Sequence, residues 1–258
     1  MSIAGTLAAG GGPEAALAGE LKTWAEAGLR PRLWLRDDDA VTDSPALRQL
    51  IDWAAGWQIP LALAVIPRAA DESLVEFVFK QNCLTVLVHG WAHQDHEARP
   101  MKKTELGTGR ALAAVVADVA AGIARIGELF GERMLPVLVP PWNRVREDLV
   151  PILGDLGYMG ISTFGGRRFP GAGLIEANAH IDIMDWRERR GRLLPALISE
   201  LVRELKGRRE AGMPGEPVGV LTHHAVHDDR AQESLAKLAG LLDGHVDWLS
   251  AGEVFDGH

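Results

Sequence analysis

Along this chain, short runs of consecutive apolar residues alternate with longer stretches in which apolar positions recur every three or four residues. The short runs predict strands at Arg32 to Arg36, Leu61 to Ile66, Leu84 to Val88, Leu135 to Val139, Tyr158 to Thr163, Ile181 to Met184, Val218 to Thr222 and Val246 to Leu249. The longer stretches predict helices over Pro13 to Leu29, Pro45 to Trp57, Asp71 to Gln81, Thr104 to Phe130, Arg146 to Leu156, Leu193 to Arg208 and Asp229 to Leu242. Pro13 suits a first helical turn, and Ser44 stands where an N-cap belongs. Strands regularly separated by helices imply a mainly parallel sheet. Seven or eight such units in 258 residues fit an α/β fold closed, or nearly closed, into a (β/α) barrel. No composition break, long linker or repeat interrupts the pattern, which predicts a single domain over residues 1–258 with residues 1–30 as an N-terminal helical extension.

Composition narrows the partners. The chain is 47% hydrophobic and 24% charged, as ordinary soluble domains are. A formal charge of −8 speaks against a nucleic-acid partner. Cys83 is the only cysteine, which excludes an intrachain disulfide and a thiolate metal cluster, and its apolar surroundings read as a small buried residue. The N-terminal stretch has no basic region, and glycines break its apolar residues, so it makes a poor export signal. No apolar span approaches the roughly 20 residues a membrane helix requires. The expected location is the cytoplasm, with no membrane span, and the pattern is silent on oligomeric state.

Chemistry in such folds gathers at the carboxyl ends of the parallel strands. Five strand ends carry polar or aromatic groups in order: Asp37-Asp38-Asp39, His89, Pro140-Pro141-Trp142-Asn143, Asp185-Trp186 and His223-His224. Three consecutive aspartates repel one another unless a cation or hydrogen-bond donors compensate them. His89 and His93, four apart, share one face if they lie on a helical turn, and with one carboxylate they make a two-histidine, one-carboxylate set. Three protein ligands leave positions open, the arrangement of a catalytic metal. His96 reads as a surface histidine, His227 as the polar start of the next helix, and His224 as either that or a partner to the site. Trp142 and Trp186 serve equally well as core or as a wall for substrate, and Asp182 can pair instead with Arg187 or Arg189.

These residues resemble the motifs of the polysaccharide deacetylase family, the NodB-homology domain of carbohydrate esterase family four, in order from about Arg32 to His224. The family's first motif, Thr/Ser-Phe-Asp-Asp-Gly, is resembled by Arg36-Asp37-Asp38-Asp39-Ala40; this implies Asp38 as general base and Asp39 as metal ligand, while a frame shifted by one gives Asp37 and Asp38 instead. His89-Gly90-Trp91-Ala92-His93 matches His-Ser/Thr-x-x-His with glycine in second place, making both histidines ligands. Val139-Pro140-Pro141-Trp142 resembles Arg-x-Pro-aromatic without its arginine, which in the family braces the catalytic aspartate; Arg144 or Arg36 stands near enough in sequence to supply that charge. Asp182-Ile183-Met184-Asp185-Trp186 and Leu221-Thr222-His223 match the fourth and fifth motifs.

The resemblance implies a distorted barrel of about seven parallel strands. It also implies a metal-dependent hydrolase that removes an acyl group from an N- or O-acetylated sugar. The nucleophile would be metal-activated water, Asp38 the base and His223 the acid, with Asp182 or Asp185 orienting His223. The Trp142 backbone N–H would stabilise the oxyanion, and Pro141, Trp142, Asn143 and Trp186 would contact a small-molecule or oligosaccharide substrate. Zinc suits the ligand set, with cobalt, nickel or manganese as alternatives. A same-fold hydrolase of a non-sugar amide or imide, and a barrel that only binds carbohydrate, are the other readings.

Overall fold

The computed structural model describes residues 11–256, so the first ten residues of the expected N-terminal extension lie outside it. Helix α1 (Pro13–Glu26) precedes β1 (Arg32–Ala40), α2 (Pro45–Gly56), β2 (Leu61–Val65), α3 (Glu72–Phe79), β3 (Leu84–Val88), α4 (Leu112–Phe130) and β4 (Met134–Leu138). There follow β5 (Gly160–Ile161), β6 (Ile175–Glu176), β7 (Ala179–Asp182), β8 (Met184–Asp185), β9 (Arg190–Gly191) and α5 (Leu194–Glu210). The described chain ends with β10 (Val218–Thr222), α6 (Asp229–Leu242), β11 (Asp247–Leu249) and α7 (Ala251–Phe255). The main sheet is parallel throughout, in the order β6-β5-β4-β3-β2-β1-β10-β7, with β11 on β1.

β6 and β7 are two halves of one path, and that path closes the barrel. Ile175 and Glu176 pair with β5, and Phe164 then bridges to Ala179. From Ala179 onward the same path pairs with β10. Counting it once, seven strands surround the axis, within the seven or eight units that the spacing predicts and as the resemblance implies.

Each strand sends alternate residues inward and outward. Leu33 and Leu35 pack outward with Leu61, Leu63 and the helices in the larger core. Trp34 points inward with Ala62, Ala64, Leu87, Val137 and Val139. Phe255 fills the amino end of this interior, its ring edge-on to Trp34 at 5.9 Å. The parity of β1 therefore sends Arg36 and Asp38 into the barrel and Asp37 out toward the helices, which fixes what each aspartate can do.

Several elements differ from expectation. The long helix begins at Leu112 rather than Thr104. Residues 104–111 form a loop instead, because the Glu105 carboxylate accepts from the backbone N–H groups of Trp91 and Ala92 and cannot sit in a helix facing elsewhere. The segment Arg146 to Leu156 is a pair of 3₁₀ turns, Glu147–Ile152 and Gly154–Leu156, and Pro151 denies it a continuous hydrogen-bond ladder. The strand expected at Ile181 to Met184 lies at Ala179–Asp182, and a β8–β9 hairpin with no sequence forecast follows it. Among the described residues no helix is long and apolar enough to cross a membrane.

Candidate metal centre and catalytic cleft

Asp39 lies in a bulge one residue before the end of β1. The register with β2 shifts between Asp37 and Ala40, and Asp39 takes φ 73°, an uncommon conformation for a residue with a side chain. The extra residue brings Asp39 to the same rim as Asp38 although the two are neighbours in sequence. There Asp39 Oδ1 lies 3.0 Å from His89 Nε2 and 3.2 Å from His93 Nε2. The three ligand atoms lie within 4.8 Å of one another.

The two histidines do not reach this point on a helical turn. His89 follows β3, Gly90 turns the chain with φ 58°, and His93 returns the ring with φ 53°. A side chain at Gly90 would meet Glu105 Oε2 at 2.2 Å and Pro141 Cδ at 2.6 Å, so glycine is required where the related motif has serine or threonine. Glu105, fully buried, holds the turn from below: its carboxylate accepts from Trp91 N at 3.0 Å and from Ala92 N at 2.7 Å. Sequence reasoning missed Glu105, whose only mark is a lone acid ahead of a buried leucine.

The donor set fits a cation. His89 Nδ1 donates to the Val139 carbonyl at 2.9 Å, so whenever Nε2 carries no proton the ring presents a lone pair there toward Asp39 Oδ1. Two acceptors face to face repel unless positive charge lies between them. Burial would push the Asp39 carboxyl up, but its hydrogen bond with His89 and the charge on that ring hold it well below the carboxylate range. In His89 burial opposes protonation, yet the Asp39 contact carries the ring above its ordinary value. His93 is held down by burial and by His89. A divalent ion satisfies the same three atoms without requiring a proton.

Asp38 is braced from its own strand. Arg36 lies inside the barrel with no exposed side-chain surface; its Nε is 2.9 Å from Asp38 Oδ1, and its Nη2 donates to Oδ2 at 3.0 Å. Nη1 donates to Ser162 Oγ at 2.7 Å and to the Thr163 carbonyl at 3.2 Å, and Nη2 also donates to Asn143 Oδ1 at 2.7 Å. Arg144 takes no part in this and donates instead to the Lys103 carbonyl at 2.7 Å. Of the two arginines that the sequence offered, the one two residues before the aspartate makes the contact.

Asp37 works on the opposite face. It accepts from Thr222 Oγ1 at 2.6 Å, His224 N at 2.8 Å and His224 Nδ1 at 2.5 Å. Burial opposes charge on either partner, yet each holds the other ionised: the Asp37 carboxyl lies below its ordinary value and the His224 ring above it. The pair fastens the backbone on both sides of His223, whose Nε2 is 4.0 Å from Asp38 Oδ2. His227 precedes the N-cap Asp228 of α6, and His96 lies outside the three-residue cluster.

The carboxylates expected to orient His223 do not touch it. Asp182 accepts from Met184 N and from Trp186 Nε1, both at 2.8 Å, and burial raises its carboxyl. Asp185 accepts from Arg187 N and Glu188 N, shaping the hairpin turn rather than the acid. Neither makes the alternative ion pair of Asp182 with Arg187 or Arg189. Trp186 stands edge-on to the His223 ring at 4.6 Å, and Asp182 holds that indole through its Nε1.

These groups open into a cleft of about 990 Å³ lined by Trp142, Asn143, Trp186 and His223 as well as Asp38, Asp39, His89 and His93. Pro141 does not line it. This proline is buried and abuts Gly90, while Asn143 spends its carbonyl oxygen on Arg36. The cleft also includes Phe164, Lys103 and Arg168, which the sequence did not single out, and Arg189, which it offered only as an ion-pair partner for Asp182.

With this arrangement in hand, solved structures provide comparisons. A polysaccharide deacetylase described as putative, from Mycobacterium smegmatis, superposes with TM-score 0.58 at 11% identity, over 88% of this chain and 90% of that one. The family 4 carbohydrate esterase from Streptomyces lividans, in complex with acetate, gives 0.55 at 15% identity, over 83% and 88%. A family 4 acetyl xylan esterase from Clostridium thermocellum, in complex with cobalt, gives 0.54 at 13%, over 87% and 90%. The fold is that of the carbohydrate esterase family 4 deacetylases. No protein-family model and no curated protein sequence matches the chain. Within this fold the two tryptophans line the cleft, Trp186 half-exposed and Trp142 ring-to-ring with His93 at 4.2 Å, so neither is a core residue.

Proposed function

We propose that the chain is a divergent carbohydrate esterase family 4 member, a metal-dependent hydrolase that removes an acyl group from an N- or O-acylated sugar. The observation that carries this reading is the convergence of three elements at one rim: the Asp39, His89 and His93 set, the braced Asp38, and His223. A binding module needs neither a paired base nor an acid beside a cation site. The absence of arginine from the Val139 position, the main ground for a binding-only reading, loses its force because Arg36 makes the corresponding contact with Asp38.

Asp39, His89 and His93 would hold the ion, zinc by donor chemistry, with cobalt, nickel or manganese able to use the same donors. When bound it supplies Lewis acidity toward an acyl carbonyl and lowers the pKa of water. Asp38, fixed in orientation by Arg36, accepts the proton from the attacking water. The N–H groups of Asn143 and Arg144 are used within their own turn, on Pro140 and Pro141, which leaves the Trp142 N–H to donate to the developing oxyanion. His223 then hands a proton to the leaving nitrogen or oxygen, with Trp186 edge-on to its ring. Trp142 and Trp186 provide apolar faces for a sugar ring.

The test joins metal analysis to product detection. Purified protein is expected to hold about one divalent ion per chain, and Asp39→Ala or His93→Ala to lose it. Asp38→Asn should keep the ion while acetate release from N-acetylglucosamine oligomers falls by roughly 10²–10⁴-fold. Full loading without release from any acylated sugar defeats the proposal, and carboxylate release from cyclic amides alone moves the activity to a non-sugar substrate.

A further inference from the structure

Four cationic side chains line the cleft: Lys103, Arg144, Arg168 and Arg189. The chain as a whole carries a formal charge of −8, so their concentration here does not follow from bulk composition. Elsewhere its arginines are commonly matched by acids, as in Arg146 with Asp148, Arg192 with Glu200 and Arg208 with Glu204. Among the described residues none of the four cleft cations has a carboxylate partner. The acids that share the cleft are committed: Asp38 to Arg36, Asp39 to the two histidines, and Asp182 to Trp186 and Met184 N.

Two of these cations are held in place by neighbours that carry no charge. Arg144 donates to the Lys103 carbonyl at 2.7 Å, and Arg168 packs its guanidinium 5.0 Å above the Phe169 ring. A backbone carbonyl and an aromatic face fix orientation without cancelling charge. Lys103 Nζ stands 6.0 Å from the centre of the Trp142 ring, and Arg189 closes the hairpin that carries Trp186. Positive charge thus flanks both aromatic walls. A neutral acyl sugar gives it nothing to bind, and like charges beside a cation site make that ion harder to hold. An anionic ligand removes both difficulties, and the field speeds its arrival.

We infer that the acylated sugar bound here carries an anionic group, a phosphate or a carboxylate, received by Lys103, Arg144, Arg168 and Arg189. This rests on the hydrolase reading for the word acylated, but not for the charge. The test is calorimetric titration of the zinc-loaded full chain with N-acetylglucosamine 6-phosphate, N-acetylmuramic acid and neutral N-acetylglucosamine, at low and at high salt. At least one charged sugar is expected to bind about tenfold or more tightly than the neutral one at low salt, with the advantage shrinking as salt screens it. In Arg168→Gln/Arg189→Gln, with zinc content and circular dichroism unchanged, the advantage should fall below about threefold. Competition by inorganic phosphate separates the phosphate arm from the carboxylate arm. Equal affinity for neutral and charged sugars, an advantage indifferent to salt and to the substitutions, or binding of none of the three overturns the inference. Charged sugars bound preferentially but never deacylated leave it standing and remove the hydrolase reading; neutral sugar deacylated as readily as charged does the reverse.

Discussion

Arg36 and Asp38 are both almost wholly buried, and each is the other's principal charge partner. Removing one side of such a pair strands the other in a dry interior, at about 3–5 kcal/mol. Arg36→Met is therefore expected to lower the chemical-denaturation midpoint and to reduce kcat, while the metal content stays near one ion per chain, because Asp39, His89 and His93 do not touch Arg36. The assignment of roles among the three aspartates was only half legible. Chemistry named the run, and alternation along a strand, started from Trp34, sorts Asp37 outward and Asp38 inward. Asp39 escapes that rule because a bulge follows, and no residue type in Asp39-Ala40-Val41 announces one. The partnership of Asp37 with His224 was equally hidden, since it joins positions 187 residues apart in the chain.

The turn after β3 is the element on which the metal set depends. It combines positive φ at Gly90 and His93, a proline ring against Gly90 and one buried carboxylate holding two backbone N–H groups. Gly90→Ala forces a left-handed alanine and a clash with Glu105. Strain of that kind costs about 1–3 kcal/mol, and the expected result is zinc affinity at least about tenfold weaker by competition with a chromophoric chelator. Unchanged affinity would show that the turn tolerates a wider path than its geometry suggests. The helical reading of His89 and His93 failed here for an identifiable reason. A spacing of four is shared by a helical turn and by a loop that folds back, and Gly90 was the one residue that favoured the loop. The strands were legible because burial on both faces leaves unbroken apolar runs. The hairpin between Met184 and Gly191 was not, since its two-residue arms leave no periodicity to read.

At the scale of the molecule, ligand binding and protonation both set stability. An ion present at a hundred times its dissociation constant adds about 2.7 kcal/mol, so chelation is expected to lower Tm by roughly 5–10 °C, and re-addition of zinc to restore it. Acid acts through His180, which joins β7 to β10 and α5: its Nδ1 is 3.0 Å from Gly219 N and its Nε2 2.9 Å from Arg208 Nη2. Burial and the Arg208 charge push this ring down to about 4 from an ordinary 6.5. The unfolded chain then binds the proton more readily, so stability contributed by the neutral ring is present above about pH 6.5 and is lost as the pH falls toward 4. Replacing it in His180→Asn should flatten that part of the stability profile, seen as a smaller difference in urea midpoint between neutral and mildly acidic buffer; an unaltered slope would place the titration elsewhere.

The barrel interior around Asp38 is packed with Trp34, Leu87, Val137 and Val139, and one guanidinium already occupies the space beneath the base. A second would bring another unscreened cation into a volume with no further anion to meet it. The place of Arg36 on β1 and an arginine at the Val139 position are therefore rival tenants of a single room, and a homologous chain is expected to carry one or the other but not both. A direct exchange, Arg36→Val with Val139→Arg, asks whether the room or the address matters to the aspartate.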